Sequence, residues 1–200
     1  MLVPDIVKAE LVKVTSAALW TQDDSRVRLP KICREAQTTT MSVYRFFGSR
    51  EGLIHEAYLS IFNQLNQESL DSWQNTLQKV SDVSGVLARI RNALDNEEHL
   101  RAFVESRGMR LRIAGVALTN KKFSRSVLVL YNDYLDDFGA LLDRARQEGR
   151  LSRNAPGQRI AREIGNVWMG GMFAALDEQP GLNRDWLETL ERILSDPMGQ

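Results

Sequence analysis

The sequence predicts an all-α chain in two parts, a small N-terminal helical unit followed by a larger helical bundle. Three observations carry this. Alternating apolar and polar residues of strand type are scarce along the 200 residues, while apolar residues recur at helical spacings nearly throughout. The five prolines fall near expected element ends, where a missing N–H does least harm. Segments are short and closely spaced up to Leu65 and long beyond it. An apolar fraction of 43% is enough for a buried core, and 26% charged residues is ordinary for a globular surface.

Taken in order, residues 4–22 carry Ile6, Ala9, Leu11, Val14, Ala17, Ala18 and Leu19 at helical spacings, and "TQDDSR" breaks the run. A short helix over 29–36 follows, with Pro30 suited to a first turn. "QTT" makes a tight connection, and Thr39 is a fair N-cap for a helix over 40–47. Gly48 fits the C-terminal cap and Ser49 opens the next helix, which runs to about Asn66 or beyond. Its inward stripe is Leu53, Ile54, Ala57, Tyr58, Ile61, Phe62 and Leu65. Further helices are expected over 67–80, 83–95, 96–116, 120–147, 156–177 and 183–195, with a loop over 147–157.

The helix over 40–47 is too short to be stable alone. Neighbours must hold it, through Val43, Phe46 and Phe47, while Thr40, Ser42, Tyr44 and Arg45 lie on its other sides. Two short helices joined by a tight turn, the second displaying polar residues, are the ingredients of a helix-turn-helix. Hydroxyls donate to phosphates or base edges, and arginine binds guanine through two atoms. Net charge is zero, yet between Arg26 and Arg50 six cations face Glu35 alone, a local balance of +5. That is compatible with phosphate binding, with a solvated helical surface as the plainer reading. Arg50, at a helix start, is a candidate phosphate contact.

The stretch "RLPKICREAQTTTMSVYRFFGSREGL" resembles the DNA-binding signature of the TetR family of transcriptional regulators. Val43-Tyr44-Arg45-Phe46-Phe47 and Gly48-Ser49-Arg50-Glu51-Gly52-Leu53 match its closing part, and Ile32-Cys33 stands where the family has Ile-Ala. "VTSAALW" resembles the family's first helix, so the likeness covers residues 6–62. Two positions depart from it. Gln37 occupies the turn that usually holds glycine, and Arg28 stands where threonine or serine often opens the second helix. The resemblance implies a helix-turn-helix DNA-binding domain over 1–49, extending into the helix to about 66, and a ligand-binding and dimerisation domain over 67–200. It makes Arg28, Thr39, Thr40, Ser42, Tyr44, Arg45 and Arg50 the candidate DNA contacts, with Tyr44 pointing at a backbone phosphate.

The implied function is a dimeric, sequence-specific repressor of transcription whose grip on an operator changes when a small molecule binds the C-terminal domain. The rival is a helical interaction or adaptor protein that has lost DNA binding, motivated by Gln37 and the zero net charge. Homodimerisation is expected through 156–177, whose glycines and alanines allow close helix approach, and through 183–195 with its apolar Trp186, Leu187, Leu190, Ile193 and Leu194. Phe103, Met109, Phe123, Tyr131, Tyr134, Trp168 and Met172 are candidate ligand-lining residues, with Leu130 and Phe138, against ordinary core packing. Arg107, Arg110 and Arg112 read as a solvated helix face or as interface ion pairs, with anion binding as the alternative.

No enzymatic motif is present. His55 and His99 stand alone without metal-ligand spacing, and no phosphate-binding glycine loop, Gly-x-Ser-x-Gly turn or cysteine–histidine pair occurs. No cofactor or metal is expected. Cys33, the only cysteine, reads as a core residue and rules out an intrachain disulfide. The N-terminus is not a signal peptide, and no apolar run approaches a membrane span. The expected location is the cytoplasm.

Overall fold

The computed structural model describes residues 4–170 and 182–195. Among these residues there is no strand, so the all-α expectation is borne out. The helices are α1 (Pro4–Thr21), α2 (Leu29–Glu35), α3 (Thr40–Phe47), α4 (Arg50–Gln78), α5 (Val83–Leu94), α6 (Glu97–Thr119), α7 (Lys121–Gln147), α8 (Gly157–Gly170) and α9 (Leu182–Ser195). Among the described residues no helix is long and apolar enough to cross a membrane. The separate helix expected over 67–80 is instead the second half of α4. Residues 63–70 hold neither glycine nor proline, and nothing there interrupts the helical hydrogen bonds. Residues 171–177, expected to extend α8, lie outside the described residues.

Helix starts follow side-chain chemistry. Ser49 Oγ accepts from the Gly52 N–H at 2.9 Å, Asp82 Oδ1 from Gly85 at 2.8 Å, and Asn96 and Asn120 Oδ1 from His99 and Phe123 at 3.0 Å each.

The chain divides into two compact units. The first comprises the chain to Leu65 together with Arg112–Val127; the second takes Asn66–Leu111 and the chain from Leu128 onward. In the first unit α1, α2 and α3 pack on one another. Leu11, Leu19, Val27, Ile32, Cys33, Val43, Leu53, Ala57 and Tyr58 are buried there. Thr15 is buried too, and its hydroxyl donates to the Leu11 carbonyl at 2.7 Å. Arg112 Nη1 donates to the carbonyls of Leu19 (2.7 Å) and Gln22 (3.4 Å), satisfying the C-terminal end of α1. The second unit has its own core, built from Leu77, Val86, Leu135, Phe138, Leu142, Ile160, Ile164, Leu190 and Leu194.

His55 is half-buried on α4. Its ring stacks on Phe123 at 4.6 Å between centroids, and burial pushes its pKa down against the opposing pull of Glu51, Asp24 and Glu56. The unfolded chain then takes up a proton at a higher pH than the folded chain does. Stability from this group is complete above the ordinary histidine range, about 6.5, and is lost as pH falls below it. We expect the unfolding midpoint to drop across that window. His55→Gln should flatten the drop, and an unchanged profile would exclude His55 as its source.

Candidate nucleic-acid interface and the buried arginine cluster

The turn before α3 is built on backbone hydrogen bonds. Thr38 N–H donates to the Cys33 carbonyl at 2.8 Å and Gln37 N–H to Arg34 at 3.2 Å, which closes α2 with a Schellman motif. Gln37 takes the left-handed position, at φ +50°. The missing glycine therefore leaves the turn intact. At the far end Gly48, at φ +75°, caps α3 by donating to the Tyr44 carbonyl at 3.0 Å.

Between these ends α3 has a buried and an exposed side. Val43 is fully buried, with Phe46 and Phe47 half-buried. Thr40, Tyr44 and Arg45 are exposed, as are Arg28 at the N-cap of α2 and Thr39 at the N-cap of α3. Neither cap residue makes a side-chain bond to its helix. The capping role expected of the Thr39 hydroxyl is thus not observed. Ser42 is less open: its Oγ accepts from Thr38 Oγ1 at 2.9 Å.

Arg50 differs from the open phosphate contact that its place suggested. Its side chain is 28% exposed. Nε donates to the Val27 carbonyl at 3.1 Å and Nη2 to that of Asp24. The guanidinium thereby ties the start of α4 to the segment between α1 and α2, using a carbonyl 23 residues away.

Met41 was not among the sequence candidates, yet it is 77% exposed. It lies three and four residues before Tyr44 and Arg45, on one face of α3. That spacing was readable; its apolar character masked it. An apolar side chain among donors suits a thymine methyl group in the major groove.

In the second unit, the aromatic and arginine groups, separate in the sequence, meet. Arg107 is 6% exposed, with its guanidinium 3.9 Å from the Phe103 ring centroid and 5.3 Å from that of Trp168. Arg110 lies 5.3 Å from the same indole and donates to Asn66 Oδ1 at 2.6 Å. Burial lowers the Arg107 pKa to about 10 and also depresses that of Arg110, which Tyr134, Glu68 and Tyr131 oppose. The solvated face expected of the three arginines is therefore corrected: Arg107 is buried, Arg110 is half-buried, and Arg112 serves the first unit.

The other ligand candidates scatter. Tyr134 shares a 3.1 Å hydrogen bond with Ser69 Oγ, and a Cβ at Gly165 would stand 3.1 Å from the Tyr131 hydroxyl. Met109 and Phe138 are core residues, and Leu130 offers its carbonyl to Asn66. Phe123 belongs to the first unit, against His55. Met172 lies outside the described residues.

Solved structures of the same architecture identify the fold. One, a TetR-family transcriptional regulator from Mesorhizobium loti, matches with a TM-score of 0.67 over 97% of this chain and 96% of its own, at 16% identity. The chain has the TetR fold. A TetR-family regulator from Rhodococcus sp. superposes with a TM-score of 0.64 over 96% of this chain and all of its own, at 13% identity. SmeT in complex with triclosan does so with a TM-score of 0.58 at 22% identity, over 94% of this chain and 90% of SmeT. No family model and no curated protein matches the sequence.

Proposed function

We propose that this chain is a transcriptional regulator of TetR type. In this reading the first unit, centred on 1–49 and the start of α4, binds an operator through α3. The second unit binds a small molecule and pairs two copies through α8 and α9. The observation that carries the proposal is the split character of α3: Val43 is buried, while Thr40, Met41, Tyr44 and Arg45 stand in solvent. The likeness to TetR-family regulators, and to SmeT in complex with triclosan, supports it.

The regulator acts as a repressor. Two recognition helices in a dimer fit successive major grooves roughly 34 Å apart. An effector that binds better to a dimer of different spacing draws the population away from DNA. Thr39, Thr40 and Tyr44 serve as phosphate or sugar contacts and Arg45 as a base reader, with Arg28 on the backbone beside them. Ser42, tied to Thr38, supports the turn.

Duplexes enriched from genomic fragments, followed by anisotropy titration, test this. Arg45→Ala should cost on the order of 1–3 kcal/mol and relax preference at one base pair. Arg50→Ala should weaken all sequences alike and lower the melting temperature of the first unit, because two carbonyls lose their donor. If no sequence is enriched, the adaptor reading prevails. If Arg45→Ala on the folded protein leaves both affinity and preference unchanged, the recognition surface is wrong.

A further inference from the structure

The outer face of α6 carries an apolar seam. Val104, Leu111 and Leu118 recur every seven residues on this one unbroken helix. All three are exposed, Leu118 to 89%. Gly108 and Gly115 fall between them, so the five residues follow one another at alternating steps of four and three. Those steps hold one line along a helix and are the seam spacing of paired helices. The opposite side of α6, with Met109 and Ile113, is buried.

The two glycines are a second, independent observation. A glycine inside a helix is costly relative to alanine, and close packing is the usual reason to keep one. Here a Cβ at Gly108 or at Gly115 would meet nothing within 4 Å. Packing within the chain therefore gives no reason for either glycine. A neighbour that lays a large side chain into the hollow at each of them does.

A second copy of the same helix has such side chains at matching intervals. Set antiparallel, with Gly108 against the partner's Leu111, α6 places Val104 against the partner's Gly115. The two-fold repeats both pairings with the roles exchanged. Every glycine then receives a branched apolar side chain. Arg101, the next seam position, meets the partner's Leu118, which its methylene stem can cover. The same register brings the exposed Glu97 and Glu98, at the start of α6, to the partner's exposed Lys122 and Lys121, just past the end of α6. A parallel pair would set glycine on glycine and glutamate on glutamate, leaving voids and repulsion.

We propose that α6 is a self-pairing surface, which binds α6 of a second copy in antiparallel orientation. This contact is separate from the α8 and α9 pairing of the proposed function. Where copies also pair there, the two contacts together build an assembly larger than a dimer.

Sedimentation velocity and light scattering on the purified full chain, over a range of concentrations, test this. Leu111→Glu/Leu118→Glu should lower the assembly by one step, and the exposure of both side chains leaves folding intact. Gly108→Leu should raise the melting temperature, since it removes a helix-interior glycine into open space, and yet weaken association by filling the hollow. Lys121→Glu/Lys122→Glu should weaken association about tenfold or more, and adding Glu97→Lys/Glu98→Lys should restore it. If a tetramer falls to a dimer in the double leucine variant, both contacts stand. If a dimer falls to a monomer, the α6 contact stands and the α8 and α9 pairing falls. If the parent is monomeric, or its mass is unchanged in the folded double leucine variant, the inference fails, and in the latter case the α8 and α9 pairing is untouched. If the second pair of charge reversals restores nothing, the antiparallel register is overturned.

Discussion

Glu163→Ala is expected to destabilise the second unit by about 3 kcal/mol, near the lower end for breaking a buried ion pair because Glu163 itself is partly exposed. The Arg153 side chain retains only 6% of its exposure. Its Nη2 donates to Glu163 Oε1 at 3.2 Å, and its Nη1 donates to the Ile193 carbonyl at 3.1 Å. One guanidinium thus joins α8 to α9. Removing the carboxylate leaves a buried cation facing the neutral Ile193 carbonyl, and the tie from α9 through Arg153 to α8 is cut at its α8 end. The double variant Glu163→Ala/Arg153→Met should recover much of the loss, since an apolar pair of similar size costs little where an ion pair stood. Urea unfolding of the parent, both single variants and the double one measures this directly. A single-variant loss well under about 1 kcal/mol would mean that water reaches Arg153 in the native state. The same pair sets a pH response. Arg153 holds the Glu163 carboxyl below the usual carboxylate range. Its contribution is complete above the ordinary glutamate pKa and is lost as pH falls toward the folded value.

Gly52→Ala is the second large effect, at about 2 kcal/mol or more. A Cβ there would overlap the Phe47 carbonyl oxygen, the last of α3. Alanine favours a helix over glycine by about 1 kcal/mol, but backbone atoms on both sides of the clash leave little room to relax. The overlap wins, and it acts on the joint that sets α3 against α4. Operator affinity should fall on every sequence together with the melting temperature. An unchanged melting temperature would show that the α3–α4 joint yields freely.

Short-range features were legible. The bounds of α3, its buried Val43, its glycine cap and the Ser49 start all follow from neighbouring residues, because capping and periodicity operate within a turn or two. The second half of α4 was misread for the same reason. Its polar surface between Asn63 and Glu68 looks like a boundary, and only tertiary packing decides whether such a stretch continues. Arg50 was misplaced because its partners are carbonyls far back in the chain, which no spacing rule reports. The stack of His55 on Phe123 is equally remote. Arg107 left a readable trace in Phe103, four residues earlier on α6, where a cation and a ring meet on one helix face. The second ring beside it, Trp168, lies on α8, which local pattern does not reach.

The turn at Gln37 bears on how such chains are found. A left-handed residue other than glycine costs roughly 1 kcal/mol in the folded state. Glycine forfeits a comparable amount through the greater freedom of its unfolded chain. The two alphabets are therefore close to equivalent at this corner, and what must persist is the pair of bonds from Gln37 and Thr38 back to Arg34 and Cys33. A pattern that demands glycine here would reject a chain whose backbone geometry satisfies it. Detection of this architecture is better keyed to where amide protons go than to which letter occupies the bend.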